Sequence, residues 1–123
     1  MSTPQTQKLS GKNILLVEDD FVLSRMYAKF FRSAGATVTQ AFNGEEALDV
    51  LSNSSVDIIL LDLGMPRMDG KETVERIKEN SQTKTIPIII LSNTTMEEGR
   101  QGYTELTNAG VTDIVRKYEL SLD

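Results

Sequence analysis

Three short, nearly uninterrupted apolar runs punctuate this chain: Asn13-Ile14-Leu15-Leu16-Val17, Val56-Asp57-Ile58-Ile59-Leu60-Leu61 and Pro87-Ile88-Ile89-Ile90-Leu91. A run that is apolar at nearly every position is expected when both faces of a sheet are covered. Covered sheets need helices on both sides, and the stretches between these runs have helical patterning. The chain is therefore constrained toward alternating strands and helices before any chemistry is considered.

From residue 21 to 34 the apolar residues Leu23, Met26, Tyr27, Phe30 and Phe31 recur at intervals of three and four, and Gly35 follows them. That spacing predicts an amphipathic helix with a glycine stop, and Asp20 is placed to cap its amino end. Residues 37–41 alternate Val and Thr as a short strand does, and Asn43-Gly44 turns into a second helix over 45–51 whose early acids favour a helix start. Third and fourth helices are predicted over 71–80 and 96–108, the latter despite Gly99 and Gly102, and a fifth strand over 111–115. Each strand-plus-helix unit takes about 20 to 30 residues, which suits parallel strands joined by right-handed crossovers rather than hairpins. The expected class is α/β, open and doubly wound.

Residues 1–12 are rich in Ser, Thr, Gln and Lys and are expected to form a flexible leader to a single domain over 13–123. After the last strand only Lys117-Tyr118-Glu119-Leu120-Ser121-Leu122-Asp123 remains, which predicts one more helix cut off near its start. A largely absent final helix would leave apolar sheet surface exposed, and self-association through that face is the corresponding expectation.

The chain has no Cys and no His, which excludes disulfides, zinc held by thiolate or imidazole, and histidine acid-base chemistry. Any metal must be held by oxygen. A net charge of −5 argues against direct nucleic-acid binding, which needs a basic face. No apolar stretch approaches the roughly 20 residues that span a bilayer, and no secretion signal is visible, so no membrane contact and a cytoplasmic location are expected.

Sites of doubly wound sheets lie beyond the carboxyl ends of the strands, where the strand order reverses. The residues there are Glu18 and Asp19 after the first strand, Asp62 after the third, Ser92 and Asn93 after the fourth, and Lys117 after the fifth. Carboxylates gathered at one place repel one another unless a cation neutralises them. Magnesium suits the role because it prefers oxygen ligands and commonly binds through one or two carboxylates together with phosphate oxygens. Lys117 adds a point charge and Ser92 a hydroxyl donor. In such a site Asp62 attacks phosphorus while the cations take up the charge of the transferring group, giving an aspartyl phosphate.

The segments Ile14-Leu15-Leu16-Val17-Glu18-Asp19-Asp20, residues 57–70 from Asp57 to Gly70, Pro87-Ile88-Ile89-Ile90-Leu91-Ser92 and residues 109–117 from Ala109 to Lys117 resemble, in order and spacing, the receiver domains of bacterial two-component response regulators. The resemblance implies a flavodoxin-like, five-stranded parallel sheet of order 2-1-3-4-5. It implies that Asp62 is the phosphoacceptor, supplied by a sensor histidine kinase or phosphotransfer protein. Glu18, Asp19, Asp62 and the backbone carbonyl of Gly64 would hold Mg2+, with Mn2+ as a substitute ion. Ser92 would contact the phosphoryl group and Lys117 would be the essential lysine, while Asp20 matches no ligand and is better read as a cap. The output would be a switch in contacts with a downstream protein target.

The chain departs from that pattern at Asn93, where a small residue is usual, at Ile114, where many members have Tyr or Phe, and at Tyr118, where Pro usually follows the lysine. A cis bond before a non-proline residue costs about 3 kcal/mol, so the bond before Tyr118 is trans or the fold supports its strain. The alternative function is a receiver-like module that binds partners without being phosphorylated. A turnover phosphatase using an aspartyl phosphate resembles its relatives in a second Asp two residues after the nucleophile, and here that position is Gly64. A flavin or nucleotide carrier would need a phosphate-cradling loop after the first strand, where Glu18-Asp19-Asp20 would instead repel phosphate. The expected protein is therefore not a turnover enzyme.

Overall fold

The computed structural model describes residues 9–62, 70–92 and 107–116. In chain order the elements are β1 (Asn13–Val17), α1 (Phe21–Ser33), β2 (Thr37–Ala41), α2 (Gly44–Asn53), β3 (Ile58–Asp62), α3 (Gly70–Glu79), β4 (Ile88–Ser92) and β5 (Asp113–Arg116). The five strands make one parallel sheet of order β2-β1-β3-β4-β5, the order that the resemblance to receiver domains implied. The chain steps outward from β1 to β2, then crosses back so that β3 lies on the other side of β1. That reversal creates the crevice in which doubly wound sheets carry their sites.

Successive strand residues point to opposite faces, so each apolar run feeds two cores at once. Leu15, Val17, Ile59, Leu61, Ile88 and Ile90 pack on one side with Ala47 of α2 and Val74 and Ile77 of α3. Ile14, Leu16, Leu60 and Leu91 pack on the other side with Tyr27, Ala28 and Phe31 of α1. This two-sided burial is why the runs lack alternation.

Local chemistry sets the element ends. Asp20 caps α1, its Oδ1 accepting from the Val22 N–H at 2.9 Å and the Leu23 N–H at 3.1 Å. Asn43 caps α2 by accepting from the Glu46 N–H at 2.8 Å, while Glu46 reaches back to the Phe42 N–H at 2.9 Å. Asn43-Gly44 is thus a helix cap and first turn rather than a free-standing turn. Gly35 lies at φ +100°, and a Cβ there would come within 2.9 Å of the Ser10 Cα. Only glycine combines that backbone angle with so close an approach.

Several boundaries shift from the sequence expectation. β3 starts at Ile58 and includes Asp62, because Asp57 is occupied at the strand entrance: its N–H donates to the Asn13 carbonyl at 2.8 Å and its carboxylate accepts from the Asn13 N–H at 2.7 Å. β5 starts at Asp113, after Thr112 has latched onto β4 by donating its N–H to the Ile88 carbonyl at 2.7 Å. The leader expected to be loose through Lys12 is held from Leu9 onward, where the Leu9 N–H donates to the Ala34 carbonyl at 2.8 Å and the side chain packs against the α1 core. Of the helix expected over 96–108, Thr107 and Asn108 are helical together with Ala109, and residues 96–106 lie outside the described residues.

The residues expected to begin one more helix also lie outside the described residues. On the α1 side of the sheet, Leu60 and Leu91 are only 4% and 0% exposed, so the expected bare apolar surface is not found at those two positions. They share one cluster with the α1 aromatics, with Ile58 and Ile89 packed at its margin. Among the described residues no helix is long and apolar enough to cross a membrane.

Candidate functional site

β1 and β3 are neighbours whose last paired residues are Val17 and Leu61. One residue further along each chain stand Glu18 and Asp62, so parallel register alone brings these two carboxylates together at the strand ends. Their burial is nearly complete, at 0% exposed for Glu18 and 5% for Asp62. Asp19 follows Glu18 at the solvent-accessible rim. One carboxylate oxygen from each of Glu18, Asp19 and Asp62 lies within 4.8 Å of the other two.

Backbone hydrogen bonds hold this corner. The Glu18 N–H donates to the Ala41 carbonyl at 3.0 Å, which extends the β1–β2 ladder past the strand end. Glu18 Oε2 accepts from the Asp20 N–H at 3.4 Å, folding its carboxylate back over the start of α1. Asp20 itself is committed to capping, which sets it apart from the two acids before it.

Charge burial gives the cluster its chemical character. Desolvated carboxylates at such separations repel strongly, and a bound cation is the usual remedy. The donor set is all oxygen, as a hard divalent ion requires. Octahedral Mg2+ holds its ligands at about 2.0–2.1 Å, so opposite ligand oxygens are about 4.2 Å apart. The observed spread fits such an ion with small side-chain adjustments.

Of the remaining expected site residues, Ser92 is the last residue of β4, one position beyond the Leu91 that pairs with Asp62. It pairs in register with Arg116 of β5, so Lys117 is the next residue in the chain after that pair. Lys117 itself, Gly64, Asn93 and Tyr118 lie outside the described residues. Ile114 pairs with Ile90 and packs against the core shared with α2 and α3, where it serves as an apolar wall.

Sequence reasoning missed the aromatic rim. Phe21, the residue after the acidic trio, and Phe42, the residue after β2, bring their rings to 4.7 Å between centroids. No local pattern links these two positions; the β1–β2 pairing does.

The family model described as the response regulator receiver domain matches residues 14–120. "Regulator of RpoS" of Escherichia coli (strain K12) is 34% identical over 112 residues, covering 91% of this chain and 32% of that protein. This chain therefore spans about a third of that relative's length. The fold is similar to that of Vibrio cholerae chemotaxis protein CheY4, with a TM-score of 0.82 at 30% identity over 90% of this chain and 89% of the other. It is also similar to the receiver domain of the Pseudomonas aeruginosa PAO1 sensor histidine kinase PA1611, whose structure has a magnesium ion coordinated in its active-site cleft. That match has a TM-score of 0.77 at 28% identity over 92% and 89% of the two chains. Sheet order, strand-end chemistry and family model agree, and the chain belongs to the response regulator receiver domains of two-component signalling.

Proposed function

We propose that this receiver domain accepts a phosphoryl group on Asp62 from a sensor histidine kinase or phosphotransfer protein, and that the modification switches its contacts with a downstream protein. The observation that carries the proposal is the convergence of Glu18, Asp19 and Asp62 within 4.8 Å at the ends of adjacent parallel strands. Asp62 supplies the nucleophile. A carboxylate oxygen forms a bond to phosphorus while the bond from phosphorus to the donor breaks, and the donor leaves with the electron pair.

Glu18 and Asp19, with Asp62 and the Gly64 backbone carbonyl, would hold Mg2+, or Mn2+ in its place. The bound ion would supply charge neutralisation for the transferring group. Ser92 would donate to a phosphoryl oxygen and Lys117 would offset the charge of the product. Burial of Asp62 among β3 neighbours holds the acceptor in one orientation, which is a contribution of the chain itself. Receiver domains are signalling modules, and turnover of external phosphate esters forms no part of this proposal.

Incubation with acetyl phosphate and Mg2+, followed by intact-mass measurement, should show one added phosphoryl group. The adduct should disappear in Asp62→Asn and on chelation of the metal. Absence of any adduct with small donors and with a cognate kinase would favour the phosphorylation-independent binding module.

A further inference from the structure

Within the carboxylate cluster, Asp19 is the member that no bond of its own holds. Glu18 is fixed twice, its N–H donating to the Ala41 carbonyl at 3.0 Å and its Oε2 accepting from the Asp20 N–H at 3.4 Å. Asp20 is fixed by its two capping bonds to the start of α1. Among the described residues the Asp19 carboxylate makes no hydrogen bond or ion pair. Its oxygen nevertheless lies within 4.8 Å of those of Glu18 and Asp62. Like charges so close repel, and an unbonded carboxylate stays there only if the turn that carries it is held from both sides.

One side of that turn is the Glu18–Ala41 backbone bond, which ties the end of β1 to the end of β2. The other is an aromatic contact. Phe21, the first residue of α1, meets Phe42, the first residue after β2, with ring centroids 4.7 Å apart and planes inclined at 57°. That tilted geometry is in the favourable range for aromatic pairs. Phe42 is a firm post, because its N–H donates to Glu46 Oε1 at 2.9 Å within the box that caps α2. Asp19 and Asp20 thus lie between two ties, both made to the same short segment, Ala41-Phe42.

The pair has no duty in the core. Neither ring belongs to either buried cluster, and Phe21 is 67% exposed. α1 is already seated by Ser24, Tyr27, Ala28 and Phe31, all buried, with the Ser24 hydroxyl accepting from Gln40 Nε2 at 2.8 Å. An exposed aromatic contact at the end of the helix that borders the carboxylates acts on the turn rather than on the packing of the sheet.

We propose that the Phe21–Phe42 pair is a positioning element of the metal site, clamping the turn between β1 and α1 so that Asp19 is preorganised for a small divalent ion. The proposal rests on the reading of Glu18, Asp19 and Asp62 as ligands of Mg2+, and adds a selectivity that the carboxylates alone do not provide. Mg2+ demands near-octahedral ligands at about 2.0–2.1 Å, whereas Ca2+ accepts about 2.3–2.6 Å and flexible geometry. A clamped Asp19 favours the first ion. Loosening the clamp costs Mg2+ more than Ca2+, because the turn must then be ordered as the ion binds.

Calorimetric titration of the 123-residue chain with Mg2+ and, separately, with Ca2+ tests this. Phe21→Ala and Phe42→Ala should each weaken Mg2+ binding by about three- to tenfold, the range of one aromatic pair, and Ca2+ binding by less than about twofold. The double substitution should lie within about twofold of either single one, since the second change removes a contact already lost. Phe21→Tyr, which keeps the ring, should keep the parent's preference for Mg2+ over Ca2+. Phe21 is exposed, so its truncation leaves the fold intact, as far-ultraviolet circular dichroism in chelator should show. Equal losses for both ions, additive losses in the double substitution, or unchanged Mg2+ affinity in both single ones would each overturn the clamp while leaving the ligand set standing. No saturable Mg2+ binding by the parent chain would overturn both readings.

Discussion

Asp20 and Glu18 show how neighbouring acids acquire different work from their surroundings. Asp20 satisfies two amides at the start of α1, so Asp20→Ala should cost about 1 kcal/mol of stability. Denaturant unfolding would measure that loss, and the yield of acetyl-phosphate labelling on the folded fraction should stay the same. Glu18 lies fully buried in the carboxylate cluster. Glu18→Gln keeps its shape and removes its charge, and calorimetric titration should show Mg2+ binding weakened at least tenfold, or about 1.4 kcal/mol. An unchanged affinity would remove Glu18 from the proposed ligand set. The cap was legible in the sequence because capping is a local interaction. The burial of Glu18 was not, because it depends on a strand more than forty residues away.

At the scale of elements, the joint between α1 and β2 depends on backbone geometry at Gly35 as well as on side chains, Arg32 donating to the Val38 carbonyl and Gln40 to the Ser24 hydroxyl. Gly35 takes φ +100° with the Ser10 backbone where a side chain would begin, and the Leu9 and Lys12 amides close the turn beneath it. Gly35→Ala should destabilise the domain by about 1–3 kcal/mol, read from the shift of the urea midpoint at constant slope. A change of less than a few tenths would show that the leader yields instead. Strand boundaries at this scale moved because of tertiary bonds. Asp57 looked like part of an apolar run, and its pairing with Asn13 places it before the strand begins.

For the whole molecule, the closeness of buried like charges means that a cation bound there would be coupled to folding. A ligand that binds the folded state alone stabilises it by about 2.7 kcal/mol at a hundredfold excess over its dissociation constant, on the order of 10 °C in Tm for a domain of this size. Mg2+ should therefore raise Tm in a saturable way, and calorimetric scans with and without chelator test this directly. Asp62→Asn should blunt the rise, whereas charge reversal at Arg25 and Lys29 should leave it intact. Equal responses in all three chains would point to nonspecific screening.

The α/β class, the parallel sheet and the strand-exit acids follow from the sequence alone, because period, apolar run length and capping residues act over a few neighbours. Tertiary structure decided the rest. Parallel pairing put Glu18 beside Asp62 and left Asp62 as the last rung of β3. Packing joined Phe21 to Phe42 and buried Leu60 and Leu91 in one cluster with the α1 aromatics. These outcomes depend on which distant segments become neighbours, and no local periodicity carries that information.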